Sequence, residues 1–198
     1  SSTVYGFTWW DAAAAMDLSE LQIETPRLRL RLPCRDDYEA WAAFLADEEA
    51  TRYIGGVQAR SQAWRSLAGM LGSWHLQGFA MFSVIEKASG RWIGRVGPWQ
   101  PEGWPGTEVG WSLVRDAWGQ GYATEAATAS IDWAFDRLGW DTVIHTIAPD
   151  NAASKAVAAR LGSRFLHMGR LPEPQHEMAV EIWGQTRAQW RAGRPSSP

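Results

Sequence analysis

The hydrophobic pattern alternates first. "PRLRLRL" (residues 26–32) puts Leu28, Leu30 and Leu32 on one side and Arg27, Arg29 and Arg31 on the other, the two-residue period of a strand with a solvated basic face. Pro26 at its start suits an edge position. The period then lengthens. In "RDDYEAWAAFLAD" the apolar residues Tyr38, Trp41, Phe44 and Leu45 recur at helical spacing behind acids that suit a helix N-terminus. A glycine pair at 55 and 56 breaks the chain before a second helix from Ser61 to Leu76, with Trp64, Leu67, Leu71 and Trp74 as its predicted inward face.

"GFAMFSVIEKASGRWIGRVGPW" (78–99) reads as a hairpin with its turn at "ASGR". The loop "PEGWPG" then leads to a strand "TEVGWSLV" at 107–114. From Gly121 to Leu138 a helix carries Ala123, Ala127, Ile131, Ala134, Phe135 and Leu138 on one face and stops at Gly139. "DTVIHTIA" is a strand, and "DNAASKAVAARLG" is a helix capped by Asp150 or Asn151 and ended by Gly162. "SRFLHMGRL" and "HEMAVEIW" are strands on either side of a proline-rich loop at 171–175, and "TRAQW" is a short terminal helix. The predicted order is β, α, α, β, β, β, α, β, α, β, β, an α/β class.

A chain of 198 residues supports one sizeable core. The expected domain covers 21–192, after an N-terminal extension at 1–20 with a short helix at "WDAAAAMDL" and before a disordered tail at 193–198. Hydrophobic residues at 45% and charged residues at 21% describe a globular protein, and no run approaches the roughly 18 apolar residues of a membrane span. A net charge of −3 argues against nucleic acid as partner. Cys34 is the single cysteine, so no disulfide and no thiolate zinc cluster is expected; with no signal-peptide pattern at the start, this fits a cytoplasmic setting. The four histidines lack metal-ligand spacing, and His145 reads as a satisfied strand residue, so no metal is expected. Most of the fourteen tryptophans must be packing, and exposed ones within 1–20 would suit a homodimer.

The chemistry begins at "WGQGYATEA". Glycine disfavours helix, yet Gly119 and Gly121 stand where a helix begins. A helix N-terminus leaves about four amide hydrogens without partners and carries about half a positive charge, and glycines let an anion approach those amides. The pair therefore reads either as a phosphate cradle or as a tight strand-to-helix turn. It is not a P-loop, because Tyr122 and Ala123 stand where Lys and Ser/Thr would be, and Thr124 occupies the third-glycine position of a dinucleotide fingerprint.

The element order, "WGQGYATEA" and "PDNAASKAVAARLGSR" together resemble the GNAT superfamily of acyl-CoA-dependent N-acetyltransferases. "ETPRLRLRLPCRDDYEAW" and "EVGWSLVRDAWGQGYATEA" resemble its Rim-type branch of ribosomal-protein N-terminal acetyltransferases. The resemblance covers about residues 21–190. It implies a single domain with a mixed, mostly antiparallel sheet of about seven strands, flanked by about four helices, with the fourth and fifth strands splayed apart. It also implies acetyl-CoA as cofactor, its pyrophosphate on a Q/R-x-x-G-x-G/A loop formed by Trp118, Gly119, Gln120, Gly121, Tyr122 and Ala123, followed by Thr124. Trp118 departs from that motif, since an indole is neither an amide nor a guanidinium. The pantetheine arm would lie along Val109 to Leu113, including Trp111 and Leu113, and face Asn151 and Ser154 of an N-x-x-S motif.

Acetyl transfer to an amine needs a neutral nucleophile, and amine pKa values run from about 8 to about 10.4. Glu108, near the expected splay, is the candidate general base, with a strand amide near Trp111 or Ser112 as oxyanion donor and Ser154, ahead of Tyr122, as proton donor to the leaving thiolate. The same residues also have plain readings: a solvated strand carboxylate, a packing tyrosine and a helix-surface serine. Trp99 and Trp104 read either as packing or as an aromatic wall for the acceptor. The expected activity is transfer from acetyl-CoA to a primary amine, at a protein or peptide N-terminus or on a small amine, by direct attack in a ternary complex. The alternatives are a non-catalytic acyl-CoA-binding or regulatory module and a generic nucleotide-binding α/β protein.

Overall fold

The computed structural model describes residues 18–194. The short helix expected at 10–18 and the end of the tail, 195–198, lie almost wholly outside the described residues. The strands are β1 Gln22–Glu24, β2 Leu28–Arg31, β3 Phe82–Glu86, β4 Arg91–Trp99, β5 Glu108–Leu113, β6 Thr142–Ile147, β7 Arg164–Arg170 and β8 Ala179–Thr186. The helices are α1 Tyr38–Ala46, α2 Glu48–Thr51, α3 Arg60–Gln77, α4 Tyr122–Arg137, α5 Ala152–Arg160 and α6 Arg187–Gly193. They build one sheet in the order β1-β2-β3-β4-β5-β6-β8-β7, antiparallel throughout except between β5 and β6. The eighth strand is β1, too short to carry a period of its own, which pairs Ile23 with Leu30.

Leu28 and Leu30 are fully buried on the face that α4 covers, as the alternation predicts. The basic face is less exposed than expected. Arg31 turns inward to a bidentate pair with Asp37, whose carboxylate also accepts from Ser83 Oγ at 2.7 Å and the Cys34 N–H at 3.0 Å. Asp37 is thus the 3% exposed anchor between β2 and α1. Burial pushes its carboxyl up, but the hydrogen bonds from Arg31, Ser83 and Cys34 outweigh that and hold it below the usual carboxylate range. We expect Asp37→Asn to cost about 2 kcal/mol in urea unfolding at pH 7. Because the folded pKa is depressed, that difference is present above the unfolded carboxylate pKa and disappears as pH falls through the folded value.

On α3 the buried residues are Ala63, Leu67, Met70 and Trp74. The expected stripe is therefore corrected by one position at two places. Trp64 is 44% exposed, edge-on to Tyr38 and under Arg35, while Ala63, one position earlier, is the residue of that turn that is fully buried. Trp74 is fully buried and meets both Phe82 and Trp133. The last strand also shifts. A loop turned by Gln175 N–H to Pro172 C=O and Met178 N–H to Gln175 C=O runs to 178, so β8 begins at Ala179 and ends on Thr186, which caps α6. Gly193, assigned by the sequence to a tail, closes α6, and Arg194 pairs with Asp132. Leu18, assigned to the extension, packs into the core. Among the described residues no helix is long and apolar enough to cross a membrane.

Candidate active site

The sheet opens between β5 and β6. Their parallel pairing has a single register point, Glu108 with Ile144, and the Ile144 N–H donates to Thr107 C=O at 2.9 Å. One residue further, the side chain of His145 replaces the ladder: its Nδ1 lies 2.8 Å from Val109 C=O and its Nε2 2.8 Å from Ser163 Oγ. A carbonyl only accepts, so Nδ1 carries the hydrogen and the serine hydroxyl donates to Nε2. Burial pushes the His145 pKa down to about 4, against the hydrogen bond to Val109, so the ring is neutral at pH 7. Val109 C=O is consequently occupied, and the strand edge expected from Val109 to Leu113 starts beyond it.

Gly119 and Gly121 have φ of +73° and +80°, in the left-handed region, so both are needed for the turn itself. The turn also makes the cradle. Among the described residues no acceptor meets the N–H groups of residues 119–124, and a side chain built on Gly119 would project into open space. The loop is held from behind. Arg27 Nη1 donates to Gln120 C=O at 2.8 Å, and Arg27 Nε and N–H both donate to Glu125, which also accepts from Thr25 Oγ1. Since C=O and N–H point in opposite directions across a trans peptide, fixing the Gln120 carbonyl on Arg27 aims the Gly121 N–H away from it. Trp118, in place of the polar motif residue, donates from Nε1 to Leu113 C=O at 2.9 Å and ties the loop to the end of β5.

A cavity of about 1110 Å³ runs from the splay past this loop and between α4 and α5. It collects Trp111, Leu113, Trp118, Gly119, Gly121, Tyr122, Ala123, Thr124, Asn151 and Ser154; of the proposed cofactor residues only Gln120 is absent from its lining. Free amides, two positions without a Cβ and a largely apolar channel suit a phosphate followed by an extended arm. Asn151 Oδ1 caps α5 by accepting from the Ser154 N–H, while Ser154 Oγ accepts from Trp111 Nε1 at 3.2 Å, across the gap between β5 and α5.

Glu108 lies outside that lining. It is 5% exposed at the junction of the two strands, accepting from Trp104 Nε1, Thr146 Oγ1 and the Thr146 N–H. Burial pushes its pKa up to about 7 despite those three donors. Trp104 meets Trp99 edge-to-face at 6.3 Å, so Trp104 orients the carboxylate while neither ring lines the cavity. Tyr122 is brought to the cavity wall, but its hydroxyl donates to Glu86 Oε2 at 2.7 Å and Arg27 covers its ring, so the structure does not pair it with Ser154. The residues missed by sequence reasoning are Thr25, Arg27 and Glu125. Glu125 in "ATEA" was visible as a first-turn acid, but its partner Arg27 is 98 residues away.

A splayed parallel pair beside an amide-lined turn at a helix start sets an anion-binding end next to an open strand edge. Residues 27–164 match the model of the acetyltransferase (GNAT) domain, and the chain belongs to that family of acetyltransferases. It is 32% identical over 134 residues to an uncharacterised N-acetyltransferase of Bacillus licheniformis, covering 66% of this chain and 75% of that one. A crystal structure of an acetyltransferase from Agrobacterium tumefaciens superposes with a TM-score of 0.76 at 29% identity, over 85% of this chain and 96% of that one. The ribosomal-protein-S5-alanine acetyltransferase of Vibrio fischeri superposes with a TM-score of 0.66 over 89% of this chain and all of that one; at 19% identity this likeness concerns the fold alone.

Proposed function

We propose that the protein moves an acetyl group from acetyl-CoA to a primary amine, at a peptide or protein N-terminus or on a small molecule, with donor and acceptor held together in one complex. The observation that carries this reading is the single-point junction of β5 and β6, with Glu108 buried at its apex and the amide-lined cavity opening beyond it. Bound acetyl-CoA would supply an activated thioester; the residues to hold it are the amides of 119–124, the free edge of β5 past Val109, and Asn151 and Ser154.

The chain's own groups then handle protons and charge. Glu108, with a pKa near 7, takes the proton that the acceptor amine must lose. The Trp111 N–H, on the side of β5 turned away from β4, would donate to a developing oxyanion; the Val114 N–H to Ile93 C=O bond fixes the register that turns the other candidate, the Ser112 N–H, toward Arg95 on β4. Ser154 Oγ already accepts from Trp111 Nε1, so its own hydrogen remains free to be given to a departing thiolate. The test is thiol release from acetyl-CoA with a panel of peptide N-termini, lysine and polyamines; acetyl-CoA bound without release for any amine would defeat the proposal.

Ser154→Ala is expected to lower kcat about tenfold, below the usual range for a general acid because a thiolate leaves with little help, with a smaller rise in KM for acetyl-CoA from the lost side-chain contact. The α5 cap survives the change because Asn151 accepts from the backbone of residue 154, not from its side chain. Steady-state kinetics decide it, and an unchanged kcat removes Ser154 from the mechanism.

A further inference from the structure

The cavity continues past the loop into a groove between two helices. α4 contributes Glu125, Thr128, Ala129 and Asp132, and α5 contributes Ala153, Ala156, Val157 and Arg160, each set spaced i, i+3, i+4, i+7 along one face. Both helices start beside the amide-lined turn and Ser154, and α5 carries Arg160 at its far end, about 13 Å from its start. The groove's carboxylates are already answered: Glu125 by Arg27 and Thr25, Asp132 by Trp190 Nε1 and Arg194, each of these last two at 2.8 Å. The side chain of Arg160 has no hydrogen-bond or ion-pair partner among the described residues. Arg52, the remaining cation of the cavity, stacks on Tyr53, whose hydroxyl bonds Asp150 C=O at the opposite end of α5.

From this we infer that Arg160 forms a second phosphate site, which reads the 3′-phosphate on the ribose of CoA and separates CoA from its dephospho form. The inference rests on the acetyl-CoA reading above. With a pyrophosphate on the 119–124 amides and the pantetheine directed at Ser154, the nucleotide half occupies the α4–α5 groove, whose small side chains leave room for it. Its terminal dianion then meets Arg160, a cation at the groove's far end without a carboxylate partner among the described residues, and a guanidinium matches a phosphate in a bidentate fork.

The test is calorimetric titration with acetyl-CoA and with acetyl-dephospho-CoA, on the native chain, Arg160→Gln and Arg160→Lys. The native protein is expected to prefer acetyl-CoA about tenfold at low salt, the low end for a charge-assisted contact at an exposed site, with the preference shrinking as salt rises. Arg160→Gln binds both ligands alike, at the native affinity for the dephospho form, and Arg160→Lys restores part of the difference. Equal native affinities, or a preference that survives in Arg160→Gln, overturn the inference while leaving the cofactor assignment standing. If the native chain binds neither ligand, the acetyl-CoA reading fails and this one with it.

Discussion

Gly121→Glu abolishes acetyl-CoA binding in a calorimetric titration, with an expected loss of at least about 100-fold, while far-UV circular dichroism stays native. Three effects act together. The φ of +80° at Gly121 disfavours any side chain by about 1 kcal/mol or more. A Cβ there lies 3.4 Å from Arg27 Nη2, close to the brace that orients the loop. Above all, a carboxylate placed among free helix-start amides occupies the position a phosphate would take, and repels it. Gly121→Ala separates strain from charge, because it carries the first two effects and should lose far less. Unaltered micromolar binding in Gly121→Glu would show that the amide-lined turn does not hold the cofactor.

Glu108→Gln lowers kcat by about 10²-fold or more, the usual range for removing a general base, with KM for acetyl-CoA little changed. The pH profile distinguishes a base from a packing residue. A carboxyl raised to about 7 is ionised only above that pH, so native activity climbs as pH rises through 7, and the glutamine variant lacks that limb. Any limb shared by both proteins belongs to the acceptor amine. Stability slopes the other way: a folded pKa above the unfolded one favours the native state most at low pH, and that contribution is lost as pH rises through 7. A full-strength kcat in Glu108→Gln would remove this residue from the reaction and direct attention to a water-mediated route elsewhere on β5.

Local period made most of the fold legible. Leu28 and Leu30 faced inward as read, and the α4 face of Ala127, Ile131, Ala134 and Phe135 is buried. Errors arose where neighbours decide. Trp64 and Ala63 are equally compatible with a helical stripe, and only the packed neighbours in three dimensions turn Ala63 inward and Trp64 toward Tyr38 and Arg35. "HEMAVEIW" looked like a strand from its first residue, but the turn built on Pro172 and Gln175 delays pairing to Ala179. In the site, glycines at a strand-to-helix junction have a local signature, and so does the Asn151 cap. What makes Glu108 a titrating group near neutrality does not: its burial against Trp104 and Thr146 depends on strands joined only in three dimensions. The same holds for Arg27, read as one of three arginines on a solvated face and found behind the glycine turn at 119–121.

The bond from His145 to Val109 has a consequence for how ligands enter. A parallel pair that merely frayed would have to be pulled apart at each encounter, and its opening point would wander. Here a neutral imidazole, itself fixed by Ser163, ends the ladder at one residue, and Ser163 is in turn held by Gln185 on β8. The gap is part of the folded state, so strand separation is completed when the chain folds and an incoming arm finds an edge already laid bare. Binding of the donor is therefore expected to be a docking event on a rigid wedge, with association limited by encounter and loop adjustment, not by rupture of the sheet.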